Sequence, residues 1–140
     1  MPQRAFAWAA FYGLALSALI LSGNATSAIL GLFCDLDQYT LGKFGQVWAN
    51  WHAIGCAFAG CINLSVAIDD GSSFLPPGRA AIARCTAFIF GTWGVQNTYY
   101  CLQRTDLFTP LMWLNAIGCL LTAAWSGWSS MGQPAGKSKC

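Results

Sequence analysis

Four long stretches of this chain contain no charged residue. Lysine, arginine and aspartate are absent from residues 5–34, 44–68, 85–103 and 107–136, and the chain has no glutamate at all. A helix needs about 20 consecutive apolar residues to cross the hydrocarbon core of a bilayer, with a range of roughly 17 to 25. A buried helix of a soluble protein seldom runs so far without a charged face. The four stretches therefore predict four membrane-spanning helices.

The overall composition agrees with this interpretation. Hydrophobic residues make up 56% of the 140 residues and charged residues only 9%, against roughly 25% charged residues in ordinary soluble domains. The length fits a single domain over residues 1–140. The formal charge of +2 includes no basic run, which argues against nucleic acid as a partner. We expect an all-α integral membrane protein, a bundle of four transmembrane helices.

Turn residues set the expected limits of the helices. Gly23 and Asn24 suggest a break at the end of the first span, and the residue pair Asp69–Asp70 opens a loop that ends in Pro77 and Gly78. Pro77 suits the first turn of the third helix, and Thr109-Pro110 resembles a cap followed by proline at the first helical position. The predicted spans are approximately 5–25, 44–68, 80–102 and 109–128, with a polar turn at 35–43 and a polar tail at 129–140.

The flanking charges predict an orientation. With four crossings, both termini and the 69–84 connection lie on one side, which carries five of the seven lysines and arginines, namely Arg4, Arg79, Arg84, Lys137 and Lys139. The opposite side has only Lys43 and Arg104. Because lysine and arginine accumulate on the side of synthesis, we expect both termini to lie there.

Small residues recur at helical spacing and indicate where helices touch. Helices in lipid associate through close packing, since lipid tails are as apolar as leucine. Gly55 and Ala59 are one turn apart, Gly91 and Gly94 lie on or near one face of the third span, and Gly118 lies on a small and polar stripe of the fourth. These five residues are the predicted helix-packing positions.

His52 is the only histidine, and it lies inside the second charge-free stretch. At helical spacing it shares a face with Gly55 and Ala59, so we expect it on the packed side of the helix. An imidazole there serves most often as a hydrogen-bonding strut. The small neighbours also leave room for a flat ring, so His52 is a candidate axial ligand of haem iron or chlorophyll magnesium. A proton-transfer role is the third alternative.

Other chemical signatures are missing from the sequence. The seven cysteines form no CxxC pair and no cysteine–histidine metal pattern, so no metal site is predicted and most cysteines serve as small apolar residues. There is no HExxH motif and no phosphate-binding glycine loop. We therefore expect a protein that is not an enzyme and has no catalytic residue.

Two classes of function fit these observations. The first is an accessory or structural subunit of a large membrane complex, bound to other membrane subunits and lipid. A photosystem is favoured over a respiratory complex because aromatic and small-residue faces suit flat pigments. The sequence does not identify a cofactor; chlorophyll, haem and lipids are the candidates, and a thylakoid or mitochondrial inner membrane is the suspected location. The second is a small membrane enzyme or redox partner, or a carrier of a lipidic solute. The layout of four short-linked helices resembles that of DoxX-like membrane proteins.

Overall fold

The computed structural model describes residues 2–21, 43–70, 73–106 and 108–131. Within these residues the chain is all helical, with four helices and no β-strand. They are α1 (Pro2–Leu21), α2 (Lys43–Ile68), α3 (Pro76–Gln103) and α4 (Met112–Met131). The predicted fold class is confirmed to this extent. The expected break at Gly23, the polar turn at 35–43 and most of the polar tail lie outside the described residues.

Two helix pairs make the most extensive contacts, α1 with α2 and α3 with α4. In the first pair, Gln3 lies near Asp69 and Gly13 lies against Gly60, so the helices run in opposite directions. The second pair is likewise antiparallel, because successively later positions of α3 meet successively earlier positions of α4.

Contacts of α1 with α4 and of α2 with α3 close the ring. Trp8 hydrogen-bonds Thr122 across the first of these interfaces, and Asn63 hydrogen-bonds Thr86 across the second. The four helices therefore form an antiparallel bundle in which each helix neighbours the next in sequence and α4 returns to α1.

Proline fixes the start of α3. Pro76 and Pro77 occupy its first positions after an extended Leu75, where a missing N–H is not needed and φ is already helical. The helix accordingly begins four residues before the predicted start at residue 80. Because Thr109 and Pro110 instead begin a tighter turn, in which Met112 N–H donates to the Thr109 carbonyl, α4 begins later than predicted.

The centre of the bundle is built mostly from small side chains. Two clusters contain its large apolar residues, one around Phe6 and Val66 and the other around Phe90. The other buried apolar side chains of the described residues are alanine or cysteine. Six of the described residues are buried and polar, namely Ser17, Asn63, Thr86, Thr122, Ser126 and Ser129.

The outer surface carries the large apolar side chains. Exposed phenylalanine, tryptophan, leucine or isoleucine occurs on every helix, with Phe88 and Trp128 each 76% exposed. By length and hydropathy, two helices qualify as membrane spans, α1 over Gln3–Leu21 and α2 over Asn50–Ile68. The same test is passed by core helices of soluble proteins and by signal sequences. Helices α3 and α4 do not reach this hydropathy, so the predicted four crossings are supported by composition only for the first two helices.

Candidate functional site

A pair of hydrogen bonds joins α2 and α3 in the buried centre. The Asn63 amide nitrogen donates to the Thr86 hydroxyl at 3.0 Å, and that hydroxyl donates to the Asn63 amide oxygen at 3.2 Å. Asn63 also donates to the Ala59 carbonyl one turn earlier at 2.8 Å. Because buried polar groups are costly when unpaired, these bonds fix the facing positions of the two helices.

A second polar cluster lies where α1 meets α4. The Tyr12 hydroxyl donates to the Asn115 side-chain oxygen at 2.8 Å and lies 3.9 Å from the Cys119 sulfur. Asn97 on α3 approaches the same sulfur, also at 3.9 Å. Cys56 of α2 is buried beside this cluster, because its carbonyl oxygen faces Gly13, the residue after Tyr12. All four helices thus contribute residues to or beside one phenol, amide and thiol cluster.

This cluster suits packing better than catalysis. Cys56 and Cys119 are both fully buried, and both are free thiols. Thiols react as thiolates in partly exposed, electropositive surroundings, whereas buried thiols are inert. No charged side chain is among the residues that the structure places in this cluster. We therefore regard it as a hydrogen-bonded centre that fixes the helix register.

Several predicted packing glycines lie at close helix contacts. A Cβ added at Gly94 would lie 2.7 Å from Leu120 of α4, and one at Gly118 would lie 2.5 Å from the Tyr12 hydroxyl. At Gly91 the nearest atom is the Ala123 Cβ at 3.7 Å, which is an ordinary contact. Ala59, the alanine of the predicted set, is buried.

Gly55 lies elsewhere than expected. It is exposed on the outer face of α2, and a Cβ added there would meet nothing within 4 Å in the described residues. The close contact between α1 and α2 is instead made by Gly13 and Gly60. A Cβ on Gly13 would lie 2.9 Å from the Cys56 carbonyl oxygen and 3.1 Å from the Gly60 nitrogen. In the sequence, Cys56 and Gly60 form a second pair of small residues one turn apart beside Gly55 and Ala59, whereas Gly13 carries no such signal.

His52 lies at the edge of the interface between α2 and α3. Its ring meets the Trp93 ring edge to face, with 4.9 Å between centroids, and the residue is exposed. No interhelical hydrogen bond involves this imidazole within the described residues. Gly55, one turn away on the same helix, leaves open space beside this position in the described residues. The three roles considered for His52 stay predictions.

Charged groups are concentrated at the two ends of the bundle. At the end that holds the α2–α3 connection, Asp69 forms an ion pair with Arg79 and accepts hydrogen bonds from the backbone of Ser73 and Phe74. At the other end, Arg104 pairs with Asp106 at 3.2 Å. The hydrogen bond from Arg104 holds the pKa of the Asp106 carboxyl below its ordinary value.

No group of three or more metal-binding side chains occurs among the residues that the structure describes. Comparison with protein-family models, with curated proteins and with solved structures finds no match for this chain. The resemblance to DoxX-like proteins is accordingly one of helix layout.

Proposed function

We propose that all four helices cross a membrane and that the protein is a structural subunit of a membrane-protein assembly. The observation that carries the membrane assignment is the distribution of side chains. Large apolar residues lie outside on each helix, while asparagine, threonine and serine are buried within. A soluble bundle has the opposite arrangement, with its apolar face inside and charged residues outside.

Helices α3 and α4 show the same distribution in part. Some of the polar residues that lower their mean hydropathy are buried, namely Thr86 on α3 and Thr122 and Ser126 on α4, while Thr92 and Gln96 of α3 are exposed. Large apolar side chains are also exposed on both helices, with Phe88 and Val95 on α3 and Leu121 and Trp128 on α4. Polar groups between helices are a common way of holding membrane helices together.

The assignment as a subunit rests on the outer face of α2. There Gly55 lies between two exposed aromatic residues, Trp51 and Phe58, which are one turn away on either side. Glycine leaves a notch that no part of the described chain fills. Close approach of another helix at such a glycine is a frequent means of association in lipid. A neighbouring membrane subunit is the partner that we propose for this face.

Native gel electrophoresis of a mild detergent extract tests the assembly. We expect the wild-type protein in a band much larger than 15.0 kDa and Gly55→Leu to release the free chain without unfolding it. Val95→Leu is the matched control, because it adds bulk at an exposed site on α3. A wild-type protein that migrates as a free small species would contradict the subunit assignment, and a pigmented band would identify a photosynthetic assembly.

Cofactor ligation by His52 is the second candidate function. It is favoured by the exposed position of the imidazole beside open space at Gly55. If His52 is an axial ligand, His52→Leu should abolish one haem or chlorophyll absorbance band of the purified protein. Trp93→Leu, which removes the ring partner but no ligand atom, should retain that band. If His52→Leu retains both the absorbance band and the cofactor content, the ligand role is excluded.

A further inference from the structure

One end of the bundle collects the basic residues. The antiparallel order places the start of α1, the connection between α2 and α3 and the end of α4 together. The described charges here are Arg4, Arg79 and Arg84 against Asp69 and Asp70, and the sequence adds Lys137 and Lys139 after α4.

Two of these arginines are available at the surface. Arg79 is already paired within the protein. Its guanidinium group forms an ion pair with the Asp69 carboxylate and donates to the backbone carbonyls of Phe74 and Asp69. Arg4 and Arg84 are exposed, and neither belongs to an ion pair in the part of the chain that the structure describes. The Asp69 carboxylate is neutralised by its pair with Arg79, so Asp70 is the one other described carboxylate at this end against Arg4 and Arg84.

The depth of these residues fits a headgroup region. Arg84 follows Ala83, which packs with Val66 about one turn from the end of α2. Trp128 on α4 lies at a similar level, because its neighbour Gly127 faces Ala87 of α3. Long basic side chains at this depth extend toward the headgroups, and tryptophan is enriched at the same boundary.

We propose that this basic rim, formed by Arg4, Arg84 and Trp128, binds anionic phospholipid headgroups. The inference rests on the proposed membrane function. The guanidinium groups of Arg4 and Arg84 form ion pairs with the phosphate of the anionic headgroup. The Trp128 ring lies at the boundary between the headgroups and the acyl chains. At the other end the sequence has two basic residues, Lys43 and Arg104, and Arg104 is paired with Asp106.

Quenching of tryptophan fluorescence by brominated lipids tests the proposal with the full-length protein in neutral detergent. Brominated phosphatidylglycerol should quench at lower concentration than brominated phosphatidylcholine, and added salt should reduce the difference. Arg4→Gln and Arg84→Gln should each weaken the preference about fivefold, the effect of roughly one surface charge. Arg104→Gln, at the opposite end, is the matched control and should leave it unchanged.

Equal quenching by the two lipids in the wild-type protein would overturn the proposal, whatever the variants do. So would an equal loss in Arg104→Gln, since the preference would then come from net charge alone. Resistance to alkaline extraction from membranes separates this inference from the proposed function. A protein that resists extraction but shows no lipid preference overturns the rim alone, whereas a protein that is extracted overturns both.

Discussion

Asn63 on α2 and Thr86 on α3 hydrogen-bond each other in both directions, and they are only 2% and 3% exposed. Thr86→Val removes the hydroxyl while keeping the shape of the side chain. We expect it to lower the free energy of unfolding by about 0.5–2 kcal/mol, because it leaves the Asn63 oxygen unpaired. Unfolding in mixed micelles of mild and denaturing detergent measures the change.

The control is the same substitution on the same helix. Thr92 is exposed, and its hydroxyl donates to the Phe88 carbonyl of its own helix. Thr92→Val should therefore change the unfolding free energy by no more than about 0.5 kcal/mol. An equal loss in both variants would mean that the buried pair contributes nothing specific.

Replacing glycine by alanine should have opposite effects on the free energy of unfolding at Gly13 and at Gly55. Gly13→Ala places a methyl group against the backbone of α2, which cannot move without separating α1 from α2. We expect a loss of about 1–3 kcal/mol in unfolding free energy. Gly55→Ala enters open space and gains helix propensity, so it should stabilise the isolated chain by up to about 1 kcal/mol. A reversed order would show that the glycine faces are assigned incorrectly.

Tyr12→Phe tests the cluster at the α1–α4 interface. It deletes the hydroxyl that donates to Asn115 and leaves the ring in place. The expected loss is about 0.5–1.5 kcal/mol, the usual net contribution of one hydrogen bond. Tyr99→Phe, at an exposed position, is the control and should leave thermal unfolding unchanged. If Tyr12→Phe were equally silent, the cluster would have no role in fixing helix register.

The Arg104–Asp106 pair predicts a local dependence on pH. Since the pKa of Asp106 is lowered in the folded protein, its stabilising effect is present above the ordinary carboxyl pKa and is lost as pH falls through the lowered value. Carboxyl NMR should show Asp106 titrating below the ordinary aspartate pKa, and Arg104→Gln should raise the pKa of Asp106 toward that ordinary value. An unchanged titration in the variant would exclude Arg104 as the cause. Both groups are exposed, so global stability should hardly respond.

The four helices of the described residues and their approximate limits were predictable because charge and proline mark the ends of the apolar stretches. Partner faces were harder to predict. Gly55 and Gly60 look alike in sequence, yet only Gly60 touches α1, because the angular position of a residue depends on where the neighbouring helices pack. His52 was expected on the packed face but lies at its exposed edge beside Trp93, a long-range contact that helical periodicity does not specify.

The polar cluster around Tyr12 and Asn115 could be predicted from the sequence only in part. The stripe of small and polar residues on α4 indicated a helix contact at Gly118. Nothing in the spacing indicated that Tyr12, more than a hundred residues earlier, would occupy the space beside that glycine. Contacts of this range depend on the three-dimensional order of the helices.

Whether α3 crosses the membrane is the most direct test of the proposed architecture. Single cysteines at Ser73 and Thr105, at opposite ends of α3, should be probed in intact membranes with an impermeant maleimide, in a chain whose native cysteines are replaced by alanine. We predict that only one of the two sites is labelled from a given side and that the other requires permeabilisation. Labelling of both sites from the same side of sealed membranes would contradict a four-span bundle.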